Sequence, residues 1–264
     1  MKTLTVNNVR LHVYDEGQGD PILFVHGFPL NHSMWDAQLK ALAATHRVIA
    51  PDLRGFGSSD VTAGTVTMEQ LADDCAALLD ALGVREPINF CGLSMGGYVA
   101  WQFVRKYGHR LHRLILCDTR AAADTPEAAA TRLKMAEHVT TAGVEMVAKA
   151  MTPKLFARST IESRPEVVEA VQQMMLATKP EGIAAAQRGM AARLDMRDLL
   201  PSVNLPTLVI VGVEDAISTV DEMRDISDTI PTATFRSIPN AGHMSPMENP
   251  AAVNAALTAF LAQK

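Results

Sequence analysis

Aromatic residues are scarce in this 264-residue chain, at 5%, and cysteines number only three. Cys75, Cys91 and Cys117 are odd in number and sit in apolar stretches. A disulfide framework is therefore not expected; reduced thiols and a cytoplasmic location are. Basic charge is also short. Lysine and arginine total 24 against 29 acidic residues, a formal net charge of −5. That argues against a nucleic-acid partner, which needs clustered positive charge. No stretch approaches the ~18 uninterrupted apolar residues of a membrane span. No apolar run follows Lys2 at the N-terminus, so no secretory signal is visible. A phosphate loop or dinucleotide fingerprint is missing too, since Gly55-x-Gly57 lacks a third glycine. His109-x-x-His112 has no carboxylate or cysteine pattern beside it, so neither a metal nor another cofactor is expected.

What the chain does have is apolar content, 48%, with 20% charged residues. That suffices for a substantial core in one domain, or one domain carrying an insertion. It is compatible with a monomer or a homo-oligomer. Thr3–Val6 and Val9–Tyr14 alternate and meet at Asn7-Asn8, as in an edge hairpin. Strand and helix patterns then alternate. Short apolar runs at Pro21–Val25, Arg47–Ala50, Ile88–Phe90, Leu114–Cys117, Thr207–Val211 and Thr234–Ile238 read as strands. Helical spacing marks Trp35–Ala44, Met68–Leu82, Tyr98–Tyr107 and Pro250–Leu261. Thr67 stands at the N-cap of the second, with Gln70 at the capping-box position. Alternating βα units with strands apolar on both faces predict an α/β fold: a mostly parallel sheet covered by helices on both faces.

The pattern breaks over 121–200, which is rich in alanine and methionine and reads as several helices. Breaks are expected at Pro153, Pro165 and Pro180. The expected division is a core of 1–120 with 201–264, and a helical lid at 121–200 inserted between two strands. His26, Asp52, Ser94, Asp118, Asp215 and His243 all fall at or just past a strand's C-terminal end, the edge where such sheets bind ligands.

The most informative run is Cys91-Gly92-Leu93-Ser94-Met95-Gly96-Gly97, between a strand and a helix. Gly-x-Ser-x-Gly in that setting reads as a nucleophile elbow, with the hydroxyl held out on a strained turn at a helix N-terminus. A serine hydroxyl needs an adjacent base. His243, in the loop between the last strand and the last helix, is the candidate; the other histidines read as solvated, apart from His26, expected to be buried and bracing its loop, and His12 in the hairpin. The base needs an orienting carboxylate. Asp215 is preferred, with Glu214 and Asp221 nearby and Asp118 as a second site. Oxyanion donors are expected from the backbone N–H of Met95, after the serine, and of Phe28, in His26-Gly27-Phe28-Pro29.

These motifs, with Asp52-Leu53-Arg54-Gly55-Phe56-Gly57-Ser58-Ser59, Gly212-x-x-Asp215 and Gly242-His243, occur in an order and spacing that resembles the α/β-hydrolase fold family over nearly the whole chain. The chain is similar to bacterial carboxylesterases, cofactor-free haloperoxidases and enol-lactonases within it. Serine at 94 departs from the dehalogenase and epoxide hydrolase branches, which use aspartate there. The resemblance implies a serine carboxylesterase acting on small to medium carboxylic esters through an acyl-enzyme. Its catalytic residues would be Ser94, Asp215 and His243, and its oxyanion hole the Phe28 and Met95 N–H groups. Alternatives are a lactonase, including one for an anionic enol-lactone held by Arg188 or Arg193, and a perhydrolase side activity suggested by Phe28-Pro29. A non-catalytic ligand receptor is a further alternative. The lid methionines Met135, Met146, Met151, Met174, Met175 and Met190 are expected to form lid core or an adaptable apolar pocket wall.

Overall fold

The structure is a computed structural model and describes residues 1–263. Among these residues eight strands form one sheet: β1 (Lys2–Val6), β2 (Val9–Glu16), β3 (Pro21–Val25), β4 (Arg47–Pro51), β5 (Ile88–Leu93), β6 (Leu111–Cys117), β7 (Thr207–Gly212) and β8 (Ala233–Ile238). Their spatial order is β1-β2-β4-β3-β5-β6-β7-β8. β1 and β2 pair antiparallel, as does β2 with β4; all other pairs are parallel. From β3 the chain steps outward to β4, then crosses back to lay β5 on the other side. The carboxyl ends of β3 and β5 are thus the topological switch point, where open α/β sheets bind ligands.

The helices of the core are α1 (Asp36–Leu42), α2 (Met68–Ala81) and α3 (Met95–Tyr107), and those of the middle segment are α4 (Pro126–Ala142), α5 (Glu145–Leu155), α6 (Arg158–Ser163), α7 (Pro165–Leu176) and α8 (Pro180–Ala191). The chain ends with α9 (Val220–Thr229), α10 (Ser245–Glu248) and α11 (Pro250–Leu261). Strand alternation sorts the core into two layers. Leu23, Val25, Phe90, Leu116 and Val209 face α2, α3 and α9, whereas Ile22, Phe24, Cys91, Ile115 and Ile210 face α1 and α11. Every residue of β3, β5 and β7 is buried. Full burial of each valine, leucine, isoleucine or phenylalanine among them contributes roughly 1.5–3 kcal/mol. All three cysteines are buried and free. Among the described residues, no helix is long and apolar enough to cross a membrane.

One expectation needs correction, and one element was not anticipated. Pro153 does not end a helix: α5 runs through it to Leu155. The proline forfeits one backbone bond in the final turn, while Thr152 Oγ1 donates to Ala148 O at 2.7 Å in the same turn. Pro165 and Pro180 do open α7 and α8. The element not anticipated is α9, a helix absent from the sequence reading. Its N-cap Thr219 accepts from Glu222 N at 3.3 Å, and Met223 and Ile226 are buried.

The segment between β6 and β7 packs its helices on both core layers. Ala136, Val139 and Ile183 join the layer of α2 and α3, and Leu155, Phe156, Val171 and Met175 join that of α1.

Candidate active site

Ser94 follows β5 as the N-cap of α3, with φ +53° and ψ −112°. That conformation is strained for an L-residue, by about 1–3 kcal/mol. It persists because its backbone is pinned: Ser94 N donates to Cys117 O at 3.0 Å, and Thr119 Oγ1 donates to Ser94 O at 2.7 Å. The glycines around it are sterically required. A Cβ at Gly92 would collide with the Gly96 carbonyl, and one at Gly96 with the carbonyl of Val25.

Ser94 Oγ lies 2.9 Å from His243 Nε2, and His243 Nδ1 lies 2.8 Å from Asp215 Oδ2. The imidazole and its carboxylate are buried, at 3% and 5% exposure. Asp215 Oδ1 accepts from Ile217 N at 2.7 Å and Ser218 N at 3.0 Å, so the carboxylate cannot rotate away. A carboxylate only accepts. Nδ1 therefore donates to it, which leaves the Nε2 lone pair facing the serine hydroxyl. Such an alignment can move a proton from Oγ to the ring.

The other carboxylates stand apart. Asp118 is fully buried, with Oδ1 accepting from Gly212 N at 2.8 Å and Oδ2 from Ser245 Oγ at 2.5 Å. Burial, then the nearby Asp215 charge, pushes its carboxyl well above the usual range. Glu214 is exposed and accepts from Arg158 N, and Asp221 is exposed in the first turn of α9.

Phe28 follows β3, through a cis bond to Pro29, and Met95 opens α3. Among the described residues, neither N–H donates to a protein acceptor. Met95 N–H is one of the helix's unsatisfied first-turn donors. His26 is fully buried; Nδ1 bonds Gly27 O at 2.9 Å and Nε2 accepts from Leu53 N at 3.0 Å. Burial lowers it to about 4, so it stays neutral and braces the loop. His32 departs from the expected solvated state. Its Nδ1 meets the buried Asp52 at 2.6 Å, because that carboxylate at the end of β4 needs donors and takes others from His32 N and Ser58 N. His109, His112 and His138 are exposed.

A cavity of about 350 Å³ opens onto Ser94 and His243. Phe28, Tyr98 and Ile217 contribute its floor; α4, α5 and α8 contribute its walls, including Met135, Met151 and Met190. Met174 instead touches Ser33, and Met175 is core. Arg188 and Arg193 do not line the cavity, which corrects the sequence expectation. Arg188 reaches outward to Gly64 O at 2.9 Å. Arg193 lies behind the wall, 2.7 Å from Asp124 and stacked 4.3 Å from the Tyr98 ring. Among the described residues, the lysine and arginine that do line it are Arg132 and Lys154, and no acidic residue does. Arg132 is held at 2.5 Å by Asp124 and at 3.2 Å by Gln187 Oε1. Burial pushes the Asp124 carboxyl up, but the two arginines outweigh it and hold it below the usual range. Tyr98 was legible in principle, one helical turn after Ser94. Arg132, Lys154 and Gln187 belong to helices with no motif.

The chain is similar to known proteins across its length. A thermophilic esterase from Thermogutta terrifontis, in a malate-bound structure, superposes with a TM-score of 0.95 at 50% identity, covering 98% of this chain and 96% of that one. The enol-lactonase of Burkholderia xenovorans LB400 gives a TM-score of 0.92 at 30% identity, covering 99% and 100%. In sequence, 3-oxoadipate enol-lactonase 2 of Acinetobacter baylyi is 31% identical over 261 residues, 98% of this chain and 96% of its own. The family model for the alpha/beta hydrolase fold matches residues 20–250. With the elbow and sheet described above, this chain belongs to the alpha/beta hydrolase fold family.

Proposed function

We propose that this protein is a serine carboxylesterase that hydrolyses small to medium carboxylic esters through an acyl-enzyme. The observation that carries the reading is the continuous line from Ser94 Oγ through His243 to Asp215, at 2.9 and 2.8 Å, facing a cavity. Ser94 attacks the ester carbonyl while His243 Nε2 takes its proton. Asp215 holds the ring's orientation and stabilises the imidazolium. The Phe28 and Met95 N–H groups receive the oxyanion, each worth about 3 kcal/mol in such sites. His243 then protonates the departing alcohol and afterwards activates water to release the acid. Hydrogen peroxide in place of that water would yield a peracid, as a side activity. Residues 121–200 serve as the lid that shapes the pocket. Three buried free thiols agree with a cytoplasmic location.

A second reading keeps this chemistry on a lactone or an ester bearing a carboxylate. Arg132 and Lys154 line the cavity, and among the described residues no acidic side chain lines it, although Asp124 pairs with Arg132 behind the wall, in a chain of net charge −5. The esterase and enol-lactonase relatives accommodate both readings. One panel separates them: neutral p-nitrophenyl esters, matched dicarboxylic hemiesters, lactones and amides, on wild type and Ser94→Ala. Ser94→Ala should lower kcat by about 10⁵ or more. Full activity in that variant would end the serine mechanism. A higher kcat/KM for hemiesters or lactones selects the second reading, and no turnover of any substrate by wild type selects a ligand receptor.

A further inference from the structure

Five residues beyond His243 lies a buried carboxylate that no motif marks. Glu248, at the end of α10, is 3% exposed, and its two oxygens take four donors. Oε1 accepts from Gly242 N at 2.8 Å and Met244 N at 3.1 Å, the residues on either side of His243. Oε2 accepts from Ala157 N and Thr160 Oγ1, both at 2.7 Å, where α6 begins. The two segments also touch directly. Met244 N donates to Leu155 O at 3.1 Å, and a Cβ at Gly242 would sit 2.7 Å from Ala157 N. Arg164 donates to the backbone carbonyl of Glu248.

A carboxylate taken from water is stable only where its oxygens are fully hydrogen-bonded. Here the donors are not scattered. One oxygen serves the loop of the proposed base, and the other serves the corner between α5 and α6, next to the cavity wall that carries Met151 and Lys154. We propose that Glu248 is the positioning residue for His243, tying the base loop and the α5–α6 corner into one body so that Nε2 stays in line with Ser94. This rests on the reading of His243 as base. Burial sets the Glu248 carboxyl above the usual range despite its four donors.

Glu248→Gln replaces one accepting oxygen by an NH₂ group, which faces two backbone donors on the Gly242 side or Ala157 N on the α6 side, where the Thr160 hydroxyl can turn to accept, so at least one bond to a backbone N–H is lost. Glu248→Asp keeps the charge but is too short to reach both segments. In the folded Gln variant, kcat for a p-nitrophenyl ester should fall about 10- to 100-fold, the scale of an ångström's misplacement at a reacting group. KM should stay within twofold. Inactivation of Ser94 by a fluorophosphonate should slow by the same factor as kcat. The Asp variant should show the same split to a lesser degree, and it decides alone if the Gln variant does not fold. The positioning role is overturned if a folded variant keeps kcat within twofold of wild type, if the loss lies wholly in KM, or if neither variant folds. His243→Ala distinguishes the parent reading: full activity there removes the base itself, whereas inactivity there with active Glu248 variants removes only the positioning role.

Discussion

At the scale of single residues, the site separates two buried aspartates by what they touch. Asp215 bonds the imidazole; Asp118 bonds a backbone N–H and the Ser245 hydroxyl, three positions before and two positions after the paired residues. Asp118 holds its proton far above the pH at which an unfolded aspartate loses it. The folded state therefore binds more protons than the unfolded one once pH passes about 4. The associated stability is complete below that point and is lost as pH rises through the folded value, by up to about 1.4 kcal/mol per pH unit. Asp118→Asn removes the charge: its oxygen still accepts from Gly212 N, and the Ser245 hydroxyl, which donates to the Asp118 carboxyl, must turn to accept from the new amide. Urea unfolding at pH 4, 6 and 8 should show the variant gaining on wild type as pH rises. A difference that does not change with pH would mean Asp118 is ionised in the fold. The sequence left Asp118 and Asp215 as alternatives because both follow a strand, and strand ends converge on one edge. Only the turn conformation after β7, with Ile217 and Ser218 N–H groups on one oxygen, aims Asp215 at the ring. Arg132 and Lys154 were illegible for a different reason. A basic residue on a helix reads as solvated until the helix's orientation over the cavity is known.

At the scale of elements, the elbow depends on close packing between neighbouring backbones. Gly96 lies in the first turn of α3 against the Val25 carbonyl at the end of β3, which leads to the His26–Phe28 loop. Gly96→Ala must push these apart. It should destabilise the fold by about 1–3 kcal/mol, as overpacking does, and it should lower kcat by moving Phe28 N–H relative to Met95 N–H. Thermal melts together with ester hydrolysis test this; an alanine variant matching wild type in both would refute the packing argument. Most elements were readable because local signals agreed with the global fold. Buried strands are short apolar runs, and Thr67 caps α2 through Gln70 N at 3.1 Å. The unread α9 has the same cap in Thr219 with Glu222 at the box position, but a polar sequence hid its narrow apolar stripe of Met223 and Ile226. Pro153 misled because a proline penalises a helix interior, and its place in the last turn of α5 cannot be known without the helix's end.

At the scale of the whole molecule, residues 121–200 share both hydrophobic layers with the sheet and contain no separate core. Residues such as Val139 and Phe156 bury themselves against the same clusters as Val25 and Trp35. The expected consequence is one cooperative unfolding transition, even at a length where intermediates are common. Calorimetry should give equal van't Hoff and calorimetric enthalpies; two resolved transitions would make the segment an independent unit. The same contiguous segment supplies Arg132, Met135, Met151, Lys154, Gln187 and Met190 to the cavity, whereas Ser94, Asp215 and His243 are encoded outside it. Exchange of that one stretch of gene between homologues should therefore alter which molecules are admitted while the proposed bond-breaking residues are inherited unchanged, provided the donors at 157 and 160 are kept.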